Sequence, residues 1–285
     1  NPKPQTPNPK PQTPNPSYFF AYPLTKLQFL DHLPMSTDHP CCPPGSLPRL
    51  DCPKQDKRGV LFDIEGTPVY VLGDSPKVLL YFTDIFGLDG GKTPKLLEDL
   101  VALGYCVVAP DCLNGEVWKD DAPVGPECFA WIKSRKPDPV EKFVVETLLP
   151  LLKKLGKKEF AVVGSCYGSW MALRAASLCK EFKAGVHFHP SFQIEGFFSG
   201  DIKNVAEKVT APQIIFAAGN DLENVKPGGE IIKLLTEKTG GKCESYLYET
   251  EVHGFMNRAD HSNAVSKKVY DEVLKHTKDF LAKYF

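Results

Sequence analysis

Phe160-Ala161-Val162-Val163-Gly164-Ser165-Cys166-Tyr167-Gly168-Ser169-Trp170-Met171-Ala172-Leu173 is the stretch whose reading decides the fold. Its first four residues are an unbroken apolar run, as expected of a strand buried on both faces. Its last residues, with Met, Ala and Leu and no proline, suit a helix. Between them Gly164 and Gly168 stand two residues either side of Cys166. A strand–turn–helix nucleophile elbow needs that spacing, because its tight turn leaves no room for side chains at the flanking positions. The elbow ordinarily carries serine at its centre. Here it carries cysteine, and no Gly-x-Ser-x-Gly occurs elsewhere in the chain. The plainer alternative is a packing cysteine in a tight turn. A thiol at a helix start gains from the amide dipoles, which favour thiolate.

Working outward, the pattern alternates. Gly59–Ile64 and Val69–Leu72 read as two short strands around Glu65-Gly66, and Val78–Phe82 and Tyr105–Ala109 as buried strands with a helix at 94–103 between them. A helix over 140–155 is expected to kink at Pro150 and stop at Gly156. Strands follow at Ala184–His189, Ile214–Ala217 and Ser245–Tyr248, with helices at Glu230–Thr239 and at the C-terminus. This is an α/β chain: a single domain with a mostly parallel sheet and helices on both faces. Ligands in such sheets bind beyond the carboxyl ends of the strands, so the chemistry should lie just after strands.

A cysteine nucleophile needs a base, and the elbow's usual order is nucleophile, acid, histidine. Gly219-Asn220-Asp221 follows one strand and Glu251-Val252-His253-Gly254-Phe255 the next. Asp221 is therefore the expected acid, with Glu223 its nearest rival and an ordinary turn residue the plain alternative. His253 is the expected base, against a solvated loop histidine. His187 and His189 form His-x-His at a strand end. With no third ligand spaced nearby, no metal is expected, and His189 should line the pocket. Gly90-Gly91-Lys92-Thr93 mimics a phosphate loop, but Phe86 stands where that loop requires glycine.

Composition narrows the partners. A net charge of -1 offers no long-range attraction to nucleic acid, and no apolar run is long enough to span a bilayer. Nine cysteines without CxxC pairs suit a reducing, cytoplasmic setting rather than a disulfide scaffold or zinc ribbon. Cys106 and Cys179 fit as packing thiols, while Cys41, Cys42 and Cys52, in a proline-rich segment, receive no role. The heptapeptide Asn-Pro-Lys-Pro-Gln-Thr-Pro occurs twice in tandem at the start. Such a tract buries no apolar surface, so residues 1–45 are read as a disordered tail before a domain at 46–285. Met35 is the expected natural start, which would place residues 1–34 upstream.

Three segments, Thr83-Asp84-Ile85-Phe86-Gly87, the Cys166 elbow and His253-Gly254-Phe255-Met256-Asn257-Arg258, together resemble the dienelactone hydrolase (carboxymethylenebutenolidase) family over about residues 59–285. The resemblance implies an α/β-hydrolase fold and a Cys166–His253–Asp221 triad. It also implies an oxyanion hole built from the backbone N–H groups of Ile85 and Tyr167. In bacterial members a glutamate of the first loop touches the resting cysteine. Asp84 stands there, one methylene shorter, and either reaches Cys166 or caps its own loop. Those members hold a substrate carboxylate with two arginines. Arg258 resembles one of them, displaced by a position, and the other has no counterpart.

The expected activity is hydrolysis of a small ester or lactone through a thioester acyl-enzyme, needing no cofactor, by a monomer or small homo-oligomer. The rival is a non-catalytic hydrolase-fold protein that binds a ligand or senses redox state.

Overall fold

A computed structural model describes residues 42–50, 58–119 and 124–285, all within one compact unit, Thr37–Phe285. The proposed start at Met35, the tandem repeat, Cys41 and Cys52 lie outside the described residues.

Eight strands form one sheet: β1 (Val60–Ile64), β2 (Thr67–Leu72), β3 (Lys77–Phe82), β4 (Cys106–Pro110), β5 (Glu159–Ser165), β6 (Phe182–Phe188), β7 (Gln213–Ala218) and β8 (Cys243–Tyr248). Their order is β1-β2-β4-β3-β5-β6-β7-β8. β2 runs antiparallel to both β1 and β4, and the remaining pairs are parallel. The first hairpin turns at Glu65 and Gly66, both at positive φ (53° and 81°), the conformation a two-residue hairpin turn requires.

Both faces of the sheet are covered. In β3, Val78, Leu80 and Phe82 join one core while Leu79 and Tyr81 join the other, and all five are fully buried. That two-sided burial is why the strands read as apolar runs rather than alternations. The long helix expected at 140–155 is broken into Asp138–Lys142, a π-helical turn Phe143–Leu148, and Leu149–Lys154. The wider turn accommodates Pro150, which has no N–H to donate and crowds the preceding turn. Two features had no strong sequence signal, the helix Pro126–Lys133 and the 3₁₀ segment Phe192–Phe198.

The parallel register lines up the strand ends that matter. Phe82 pairs with Gly164, Ser165 with Phe188, Phe188 with Phe216, and Ala218 with Tyr248. The loops after β3, β5, β6, β7 and β8 therefore open onto one rim. No helix among the described residues is long and apolar enough to cross a membrane.

Candidate active site

Cys166 sits between β5 and the helix Tyr167–Leu178 with φ 53° and ψ −118°. A non-glycine residue there is strained, and such strain persists only where the surroundings over-determine it. They do so here. A Cβ on Gly164 would lie 2.2 Å from the Gly168 carbonyl oxygen, and one on Gly168 would lie 2.0 Å from that of Phe82. The Cys166 amide donates to the Phe188 carbonyl at the end of β6 at 3.0 Å, and its own carbonyl accepts from the Ser169 and Ser191 amides. The two glycines read from sequence are thus the positions where the chain closes on itself.

His253 follows β8 and Asp221 follows β7. The His253 Nδ1–H donates to Asp221 Oδ1 at 2.6 Å, and both side chains are buried. Asp221 Oδ2 accepts from the Ala218 amide at 2.8 Å, which fixes the carboxylate within its own turn. Glu223, the rival acid, is exposed and paired with Lys226. The His253 Nε2 is buried with no hydrogen-bond partner among the described residues. A ring nitrogen of His253 and the sulfurs of Cys42 and Cys166 lie within 4.8 Å of one another.

The electrostatics depart from the simple helix-start expectation. Burial holds the Cys166 thiol well above its ordinary range and Cys42 adds to this, with His253 pulling the other way. Burial also works against a protonated His253, but the Cys166 sulfur and the Asp221 carboxylate outweigh it and raise the ring to about 9. The two groups answer each other: a thiolate at Cys166 favours the proton on His253 and a protonated His253 favours the thiolate, while burial opposes both charges.

The loop after β3 abuts the elbow, since the Gly168 position also faces the Thr83 carbonyl. Neither the Ile85 nor the Tyr167 amide donates a hydrogen bond among the described residues. Asp84 is fully buried and caps its loop: Oδ1 accepts from the Phe86 amide at 2.9 Å and Oδ2 from Asn257 Nδ2 at 2.8 Å. Arg258 Nε lies 3.6 Å from Asp84 Oδ2, its Nη1 donates to the Leu47 carbonyl at 2.7 Å, and it too is buried. Burial raises the Asp84 carboxyl, opposed first by Arg258. Of its two sequence readings, loop capping is the one with contacts; no hydrogen bond joins it to Cys166.

His189, at φ 37°, packs edge-on against His253 with ring centroids 4.9 Å apart. Burial, with His253 and Arg258 adding, holds it well below the usual histidine range, so it is a neutral wall of the site. His187 turns away, and its Nε2 meets Gln213 Oε1 at 2.7 Å. The pair does not converge on one point.

Sequence reasoning missed three neighbours. The Ser191 hydroxyl donates to the Cys166 sulfur at 3.4 Å, Asn220 Oδ1 accepts from the His253 amide at 2.6 Å, and Cys42 Sγ lies 3.6 Å from Cys166 Sγ. Asn220 stands one residue from a position already singled out, and Ser191 two. Cys42 had no local signal. Residues 42–45, assigned by composition to the tail, belong to a strap at 42–50 without helix or strand that packs against Cys166, Asn220 and His253. Leu47 N–H donates to the His253 carbonyl at 2.9 Å, and Asn220 Nδ2 donates to the Pro44 carbonyl at 3.0 Å.

Comparison with known proteins places the chain in a family. The profile of the dienelactone hydrolase family matches residues 67–285. A carboxymethylenebutenolidase homolog of Homo sapiens is 27% identical over 219 residues, covering 74% of this chain and 84% of its own. Dienlactone hydrolase 1 of Gibberella moniliformis is 29% identical over 232 residues, covering 76% and 83%. The crystal structure of a dienelactone hydrolase from Klebsiella pneumoniae, at 16% identity, shares the fold with a TM-score of 0.59, covering 79% of this chain and 98% of that one. The chain belongs to the dienelactone hydrolase family and has the α/β-hydrolase fold.

Proposed function

We propose that this protein hydrolyses small esters or lactones, with Cys166 as nucleophile, His253 as general base and acid, and Asp221 orienting the imidazole. The observation that carries the reading is the strained Cys166 on its glycine-locked elbow, with the His253–Asp221 pair of 2.6 Å beside it. His253 takes the thiol proton as sulfur attacks the carbonyl carbon. The oxyanion that forms is held by the Ile85 and Tyr167 amides, each worth about 3 kcal/mol in comparable sites. Collapse of the tetrahedral species gives a thioester and releases the alcohol, which takes its proton from His253. Water, deprotonated by His253, then frees the acid.

The substrate reading stays broad. Arg258 Nε lies 3.6 Å from Asp84 and Nη1 donates to the Leu47 carbonyl. Nε and Nη2 have no hydrogen-bond partner among the described residues, and Cys42 is among the groups that hold the guanidinium charged. A substrate carboxylate reaching Arg258 would take the place that Cys42 holds. The test is Cys166→Ala against a panel of activated esters and lactones, with and without a carboxylate. Hydrolysis should disappear for the whole panel. Activity retained in the variant would remove the central claim, and a preference for carboxylate-bearing lactones would assign Arg258 to binding.

A further inference from the structure

Among the described residues, Cys42 and Cys166 are the cysteines whose sulfurs touch each other, at 3.6 Å and 124 residues apart in sequence. No disulfide joins any of the described cysteines. We propose that Cys42 is a resolving thiol: hydrogen peroxide or an organic hydroperoxide drives Cys42 and Cys166 into a reversible disulfide that silences the nucleophile and locks the strap over it.

Placement carries the inference. Cys42 is 2% exposed and Cys166 fully buried, so the strap brings a second sulfur into the site itself and not to its edge. Three hydrogen bonds hold the strap there, two to the segment after β8, through the His253 carbonyl and Arg258, and one to Asn220 after β7. To bond, the sulfurs must close to about 2.05 Å. Strap backbone in neither helix nor strand can move that far, whereas the elbow cannot. The two sulfurs and a His253 nitrogen are also spaced as metal ligands would be. The buried Arg258 cation beside Cys42, however, sets a fixed positive charge against a metal ion and in favour of a thiolate.

The chemistry balances with the peroxide as oxidant. The Cys166 thiolate attacks a peroxide oxygen, the O–O bond breaks, and the departing hydroxide takes up the first thiol proton as water. Cys42 then attacks the sulfenic sulfur, the S–O bond breaks, and the second hydroxide leaves with the second thiol proton. Two thiols and one hydrogen peroxide become one disulfide and two waters; with an organic hydroperoxide the first leaving group is the alkoxide, and the products are the disulfide, one alcohol and one water. A sulfenic acid formed within touching distance of a thiol condenses before it meets a second peroxide, which protects Cys166 from irreversible oxidation.

The inference rests on the proposed reading only for its consequence, loss of hydrolysis; the cross-link is read without any substrate. The full chain is treated with hydrogen peroxide, its remaining thiols are alkylated, and it is digested without reductant. The expected product is a Cys42–Cys166 linked peptide pair lighter by two hydrogens, split by dithiothreitol. It should survive in Cys41→Ser and vanish in Cys42→Ser. After dithiothreitol the wild type should recover most of its Cys166 thiol, and Cys42→Ser little, its sulfur having gone on to sulfinic acid. Cys166 over-oxidised beside an alkylated Cys42 in the wild type would overturn the proposal. So would pairing of Cys166 with any other cysteine, or both thiols remaining free.

Discussion

Two walls of the site are built in opposite ways. The elbow wall belongs to the sheet: Cys166 is pinned between β5 and its helix, its amide bonds to β6, and the flanking glycines touch backbone. The strap wall, 42–50, has no regular structure and is fastened by hydrogen bonds, each worth a net of about 0.5–1.5 kcal/mol. A wall built into the sheet is expected to be lost only with the global fold, whereas a strap held by a few hydrogen bonds is expected to open at a fraction of that free energy. On the proposed reading a fixed nucleophile sits under a removable cover, each wall supplies a sulfur, and a substrate reaches the buried Cys166 once the strap is displaced.

The largest effect should come from the permanent wall. Asp221→Asn keeps the packing and the hydrogen-bond reach but reverses the demand on the imidazole, favouring the wrong tautomer. Removing the corresponding charge in a serine triad costs about 10⁴ in kcat. Steady-state hydrolysis should show a loss of that order with little change in thermal stability. A loss confined to stability would make the pair structural.

Arg258 is where the walls join, since it meets Asp84 on one side and the strap carbonyl of Leu47 on the other. Asp84→Ala leaves the buried guanidinium uncompensated, which ordinarily costs about 3–5 kcal/mol. Urea unfolding should show it as a lower midpoint. A cost below about 1 kcal/mol would mean that the strap carbonyl alone satisfies Arg258, and the two walls would be energetically separate.

A smaller effect separates the walls by pH. Burial lowers His187, on β6, from 6.5 to about 4, with the Gln213 hydrogen bond opposing. The fold holds this ring neutral while the unfolded chain takes up a proton below pH 6.5. Its contribution is therefore intact above that pH and is lost as pH falls toward 4, by about 1.4 kcal/mol per pH unit and about 3 kcal/mol across the window. Unfolding measured at about pH 7 and about pH 4.5 should show His187→Gln narrowing the difference between the two. The strap should add nothing to that slope, since its described residues carry no group that titrates there.

The same division explains what was legible in the sequence. The elbow announces itself because local rules coincide: an apolar strand, two glycines that no other residue could replace, and a helix. Asp221 and His253 are legible because parallel strands deliver their ends to one rim in chain order. Cys42 is not, because its place depends on contacts with residues far along the chain, and proline-rich composition resembles a tail whether or not it folds back. The break at Phe143–Leu148 was legible only as a kink, since Pro150 shows that the helix must yield but not that it yields by widening. The capping role of Asp84 was an open alternative because one methylene decides its reach.

The smallest effect tests the strap most directly. The Leu47 amide donates to the His253 carbonyl at 2.9 Å, and Leu47→Pro deletes that donor while leaving the carbonyl at position 47 for Arg258. The lost bond is worth about 1 kcal/mol. If the strap opens independently, global stability should hardly move, because the elbow wall carries it. The opening equilibrium should shift instead, by about fivefold for that free energy. Iodoacetamide labelling of Cys166, followed by peptide mass spectrometry, reads this opening because a fully buried thiol reacts only through it. A rise in labelling with unchanged unfolding would show a cover that works as its own unit. Equal changes in both would make the strap part of the same cooperative body as the elbow, and substrate entry would then need a different route.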